Sequence, residues 1–228
     1  MVSPASEVER FLKEVAGRSQ EPGGPDGGRL IFAMDATASR QPTWDLAAQL
    51  QGGMFAAASG VGRFQIQLCF YRGHGEFRVG PWLSDPARLT RLMTSVSCRA
   101  GRTQIARVLK HTINETRMRQ VGALVFVGDC AEESLDTLAG LAGDLALFGV
   151  PAFVFQEGAD PIARIAFQEI ARLTRGAYCA FDAGSADMLR SLLAAVAVYV
   201  AGGRAALLDW SAGRGDEVKR IASQISGR

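Results

Sequence analysis

Short apolar runs alternate along the chain with longer stretches in which apolar residues return every three or four positions. The runs are LIFAM (30 to 34), FQIQLCFY (64 to 71), ALVFV (123 to 127), AFVF (152 to 155) and AYCAF (177 to 181). Near-continuous apolar runs suit strands buried on both faces, and the three-to-four spacing suits helices with one covered face. Helices are expected over approximately residues 43 to 59, 86 to 96, 103 to 117, 134 to 147, 161 to 174 and 185 to 201. Such alternation predicts an α/β fold with a largely parallel sheet.

One connection breaks the alternation. Between FQIQLCFY and EFRVG (76 to 80) lies only the Arg-Gly-His-Gly segment, too short for the crossover that a parallel pair needs. That pair is expected to be an antiparallel hairpin with EFRVG at the edge. The predicted object is a Rossmann-like, doubly wound, mostly parallel six-stranded sheet with one antiparallel edge strand and helices on both faces.

The flanks read differently. Residues 1 to 19 are expected to hold an amphipathic helix, since Ser6 and Glu9 form a capping box and Val8, Phe11, Leu12 and Val15 share one face. Residues 20 to 28, QEPGGPDGG, are a linker by composition, residues 29 to 203 form the main domain, and residues 204 to 228 form a tail with Val218, Ile221 and Ile225 on one helical face.

Composition narrows the functional classes. With 228 residues and 48% apolar content, the chain is large enough for one well-packed core, and its net charge of +2 points to neither a nucleic acid nor a membrane surface. The basic run from Arg88 to Arg119 lacks aromatic residues for base stacking and reads as a solvated helix face, so no nucleic-acid partner is expected. No apolar run approaches the roughly 20 residues that span a bilayer, and the N-terminus is acidic and amphipathic, so a cytoplasmic location without membrane insertion is expected. Cys69, Cys98, Cys130 and Cys179 are spread without a CxxC pair, which fits reduced thiols; a zinc site from Cys98, Cys130 and a histidine lacks the ligand spacing. His74, in a Gly-flanked turn, and His111, in a helical segment, are expected at the surface without a catalytic role.

In doubly wound sheets the ligand sits beyond the carboxyl ends of the strands. Asp35 ends the first strand, Asp129 follows ALVFV by two residues, and Thr103 in CRAGRTQIARVL starts a helix after a loop containing Gly101. In MDATASR, Asp35-x-Thr37-x-Ser39 places alternate side chains on a turn that leaves the strand. Any one of these three is accounted for by capping of the following helix. Together with Thr103 and Asp129 they make an all-oxygen set of the kind that hard divalent cations prefer. Neutral hydroxyl ligands would leave such a cation electrophilic toward a carboxylate supplied from outside.

The order Asp35-x-Thr37-x-Ser39, then Thr103, then Asp129 resembles the von Willebrand factor A (VWA) domain and its metal-ion-dependent adhesion site, over roughly residues 28 to 203. The resemblance implies Mg²⁺ or Mn²⁺ held directly by Thr37, Ser39 and Thr103, with Asp35 and Asp129 holding waters and orienting hydroxyls. It also implies a non-enzymatic protein–protein interaction module whose partner presents an Asp or Glu to the metal. The chain departs from the family pattern at Thr37, where serine is usual, at Arg40, where an apolar residue is common, and at Cys130, where glycine is frequent. Arg40, Arg99 and Arg102 read either as a basic rim that steers an acidic partner or as solvated loop residues. Glu132 and Glu133 read either as first-turn acids that complement a helix dipole or as charges that disturb the balance of the site.

Two other readings compete. A Mg-dependent phosphatase or phosphotransferase of the haloacid-dehalogenase kind would use Asp35 as nucleophile, but it normally carries an acid two residues on, where this chain has Thr37, and its lysines are only Lys13, Lys110 and Lys219. A metal-independent VWA scaffold would bind through the N-terminal helix or the tail. The glycines of GGPDGGR precede a strand and lack the lysine of a phosphate loop, and Arg214-Gly215-Asp216 reads as a turn.

Overall fold

The computed structural model describes residue 10 and residues 28–50, 52–58, 61–182 and 186–212. Apart from Arg10 and Gly28, the expected N-terminal helix and linker lie outside the described residues, as does the tail beyond residue 212.

Six strands form one sheet: β1 (Gly28–Asp35), β2 (Phe64–Arg72), β3 (Glu76–Leu83), β4 (Ala123–Gly128), β5 (Ala152–Glu157) and β6 (Ala177–Phe181). Their order is β3-β2-β1-β4-β5-β6, with β2 and β3 antiparallel and every other pair parallel. The doubly wound sheet and its antiparallel edge are therefore as the hydrophobic pattern predicts. β3 runs past the expected end to Leu83, and Pro81, which lacks an N–H, falls where the β2–β3 register shifts on this edge strand, a position that tolerates proline.

The helices are α1 (Gln41–Leu50), α2 (Gly52–Ala58), α3 (Pro86–Thr94), α4 (Ile105–Met118), α5 (Leu135–Leu147), α6 (Pro161–Leu173) and α7 (Ala186–Ala212). Leu30, Phe32 and Met34 of β1 face a core completed by α1, α2, α3 and α7, while Ile31 and Ala33 face a second core completed by α4, α5 and α6. The helix expected over 43 to 59 corresponds to α1 and α2, with residue 51 between them outside the described residues. The last helix continues beyond its expected end through a kink at Gly203 (φ 74°), and Leu207 is buried beyond that kink. Within it, Ala186–Gly203 is long and apolar enough to cross a membrane by composition; most of it is buried against the sheet.

The chain leaves β1 toward α1 on one face and leaves β4 toward α5 on the other, so the strand order reverses between these two neighbours. That reversal opens a crevice at their carboxyl ends. Trp44 secures one wall: its indole N–H donates to the Met93 carbonyl at 2.8 Å and its ring meets Phe70 edge-on at 5.4 Å.

Candidate functional site

Asp35 is fully buried, and both of its oxygens are engaged. Oδ1 accepts the Thr37 N–H at 2.7 Å, and Oδ2 accepts the Tyr71 hydroxyl at 3.2 Å across the β1–β2 pair. The first bond closes the turn that throws Thr37 and Ser39 back over the strand end. Residues 38 to 40 form a short 3-10 turn that Thr37 precedes without a side-chain capping bond, so its hydroxyl is not spent on a helix end. Thr37 Oγ1 and Ser39 Oγ lie 3.5 Å apart, and Ser39 Oγ donates to Asp129 Oδ2 at 3.0 Å. Four of the five expected residues thus come together from the loops after β1 and β4.

Thr103 takes a different position. Its hydroxyl accepts the Glu132 N–H at 2.9 Å and donates to the Glu133 carboxylate, while its own N–H donates to Glu132 Oε2 at 2.8 Å. No described contact ties it to Ser39 or Asp129. Its loop is nonetheless pinned against MDATASR, because the Arg99 N–H donates to the Ala36 carbonyl at 2.9 Å and the Cys98 N–H to Gln41 Oε1 at 2.9 Å. Glu132 and Glu133 are not in the first turn of α5, since they precede its cap Ser134 and Asp136 is the acid of that turn; Glu133 Oε1 instead also accepts the Ala106 N–H of α4 at 3.2 Å.

Arg40 overturns the reading of a basic rim made by three arginines. Arg99 and Arg102 are exposed, but Arg40 is 1% exposed and pairs through Nη1 with the carboxylate of Glu157, the last residue of β5, which also accepts from Thr43. A buried guanidinium needs negative charge close by, which Glu157 supplies directly and Asp129 and Asp35 supply from nearby. Burial lowers the Arg40 pKa from its usual value, and the negative charges of Asp129 and Asp35 oppose that shift. Burial likewise raises Asp35 to about 6, against the Thr37 N–H, while Asp129 adds to the rise. The Tyr71 phenol is pushed well above its usual value by burial and then by Asp35.

Glu157 and Tyr71 were not legible as site residues, and Glu133 was legible as a charge near the site but not as the partner of Thr103. Glu157 had one usable signal, its place at the carboxyl end of a parallel strand. Tyr71 had none, because its level with Asp35 is set by strand register. His111, expected at the surface, is half-buried and meets Gln67 Oε1 at 2.8 Å and Phe77 edge-on. An open groove of about 920 Å³ lined by Phe55, Phe64, Arg63 and Arg119 lies at the opposite, amino end of the sheet and shares no residue with the acids. The buried polar chemistry, and not this groove, marks the candidate site.

Among solved structures, von Willebrand factor type A from Catenulispora acidiphila matches with a TM-score of 0.60 at 16% sequence identity, covering 75% of this chain and 43% of that one. The chain has the von Willebrand factor type A fold. BatB from Bacteroides thetaiotaomicron matches with a TM-score of 0.56 at 17% identity, covering 73% of this chain and 97% of that one. The SpRpn10 VWA domain matches with a TM-score of 0.58 at 11% identity, covering 72% and 94%. At such identities the shared property is the VWA architecture alone. No protein-family model matches the sequence, and no curated protein does.

The donor set around the VWA switch point fits a hard divalent cation in chemistry: Thr37, Ser39 and Asp129 present oxygens, and Asp35 orders the turn beneath them. Among the described residues no three His, Cys, Asp or Glu side chains form a group that could hold a metal, so a cation here would depend on the hydroxyls and on water.

Proposed function

We propose that the chain is a non-enzymatic protein–protein interaction module that engages an acidic side chain of a partner at the carboxyl end of its sheet. A divalent cation, Mg²⁺ or Mn²⁺, would be held by Thr37, Ser39 and Asp129, with Asp35 fixing the turn and Thr103 on the facing loop. The cation would supply an electrophilic centre for the partner's carboxylate. The observation that carries this reading is the convergence of the Thr37, Ser39 and Asp129 oxygens over a buried Asp35. Exposed Arg99 and Arg102 beside that mouth suit an acidic partner segment by steering its approach. A nucleophilic role for Asp35 is disfavoured, since it is buried with both oxygens engaged.

A second reading, a metal-independent scaffold, draws on the buried Arg40 cation beside the same acids. Calorimetric titration with Mg²⁺ and Mn²⁺ separates the two. Heat in the wild type that Asp129→Ala abolishes supports the metal site, and no heat in either protein removes it. Pull-downs with and without EDTA then test the partner: a bound set indifferent to EDTA moves binding away from this crevice.

A further inference from the structure

Arg40 is 1% exposed, yet only one of its three guanidinium nitrogens has a partner: Nη1 pairs with Glu157, whereas Nε and Nη2 are buried with no hydrogen-bond partner. These two nitrogens form the side-on edge of the guanidinium, which donates two parallel N–H bonds to one carboxylate. Leaving that edge unpaired in the interior costs more than an ordinary missed hydrogen bond, because a charge is involved. Asp129 lies against the residue that precedes Arg40, since it accepts from Ser39 at 3.0 Å, and its negative charge, with that of Asp35, opposes the effect of burial on the guanidinium. Asp35 is held at both oxygens by Thr37 and Tyr71 and is not free to turn. Asp129 is half-buried, and its one described hydrogen bond comes from Ser39.

We propose that Arg40 and a divalent cation compete for Asp129. Without the cation, the Asp129 carboxylate turns onto the Nε/Nη2 edge of Arg40; the cation draws it back to Ser39 and Thr37. Glu157 and Thr43 anchor the guanidinium throughout, so the moving part is one aspartate side chain. The arrangement with Asp129 on Ser39 is the cation-ready arm of that exchange. Arg40 thereby sets the threshold at which the site loads. This inference rests on the metal reading above, and its test has to separate the two.

Two measurements on the full chain do so. In the first, Mn²⁺ is titrated into wild type and Arg40→Met while paramagnetic broadening of backbone amides near residues 35–40 and 129 is followed. The dissociation constant is expected to fall about tenfold in Arg40→Met, an ordinary size for coupling between two sites. In the second, a double-mutant cycle of Arg40→Met with Asp129→Asn is run in EDTA by chemical denaturation. Asp129→Asn is expected to lower the midpoint in the wild-type background and to have a smaller effect, or none, beside Met. Removing one member of a buried pair can unfold a protein, so Arg40→Met combined with Glu157→Gln carries both measurements if the single variant does not fold. Equal Mn²⁺ affinity in wild type and variant overturns the competition and leaves the metal site standing, and additive effects in EDTA overturn it as well. Absence of Mn²⁺ broadening in every protein overturns the metal reading and the competition together.

Discussion

The Tyr71 hydroxyl donates to Asp35 Oδ2 at 3.2 Å, joining residues that stand level on the neighbouring parallel strands β1 and β2. Both are fully buried, so this bond holds the carboxylate under MDATASR without help from solvent. Tyr71→Phe keeps the ring's stacking on Phe126, with centroids 6.4 Å apart, and removes only the donor. A loss of about 1 to 3 kcal/mol is expected from an under-bonded buried carboxylate, read as a lower midpoint in urea. An unchanged midpoint would show that Asp35 does not depend on Tyr71.

Gly101 is a second point of control. A Cβ placed there would lie 2.0 Å from the Gly73 carbonyl oxygen, so backbone has to move. The loop that carries Thr103 and touches the β1 turn through Arg99 would shift with it. Gly101→Ala is expected to cost about 1 to 3 kcal/mol by overpacking, and to perturb the amide resonances of Thr103 and Ala36 in a heteronuclear spectrum. Retention of both resonance positions would contradict it.

Glu133 bridges the Thr103 hydroxyl and the Ala106 N–H at the start of α4. Glu133→Ala is expected to lower stability by roughly 0.5 to 2 kcal/mol, the scale of a lost helix cap. Hydrogen exchange should accelerate at Ala106 and at neighbouring amides in the first turn. Exchange that stays as slow as in the wild type would mean that the helix end is held by other groups.

Acid is expected to weaken the fold partly through His111. Burial lowers its pKa, opposed by Glu115, and its ring meets Gln67 and Phe77. The unfolded chain therefore takes up a proton near its ordinary value of about 6.5 before the folded chain does. The stabilisation is fully present above that pH and is lost as pH falls toward the folded value. Comparing urea midpoints at pH 8 and pH 5 for wild type and His111→Gln isolates this contribution, since the other groups are common to both. Equal slopes in the two proteins would rule it out.

The hydrophobic pattern alone determined the α/β architecture, because strands buried on both faces must be apolar throughout and helices covered on one face must repeat at three to four residues. Chain order also placed Asp35, Thr37, Ser39 and Asp129 at strand ends, where a doubly wound sheet collects its ligands. Strand register and side-chain direction were decided only in three dimensions. Register set Tyr71 level with Asp35, and folding aimed Arg40 into the interior, onto a glutamate 117 positions away, 157 less 40. Arg40 and Thr103 look like any surface arginine and helix-leading threonine in sequence, because what fixes them is the electrostatics of distant acids. Glu157 for Arg40 and Glu133 for Thr103 become neighbours only when the sheet closes.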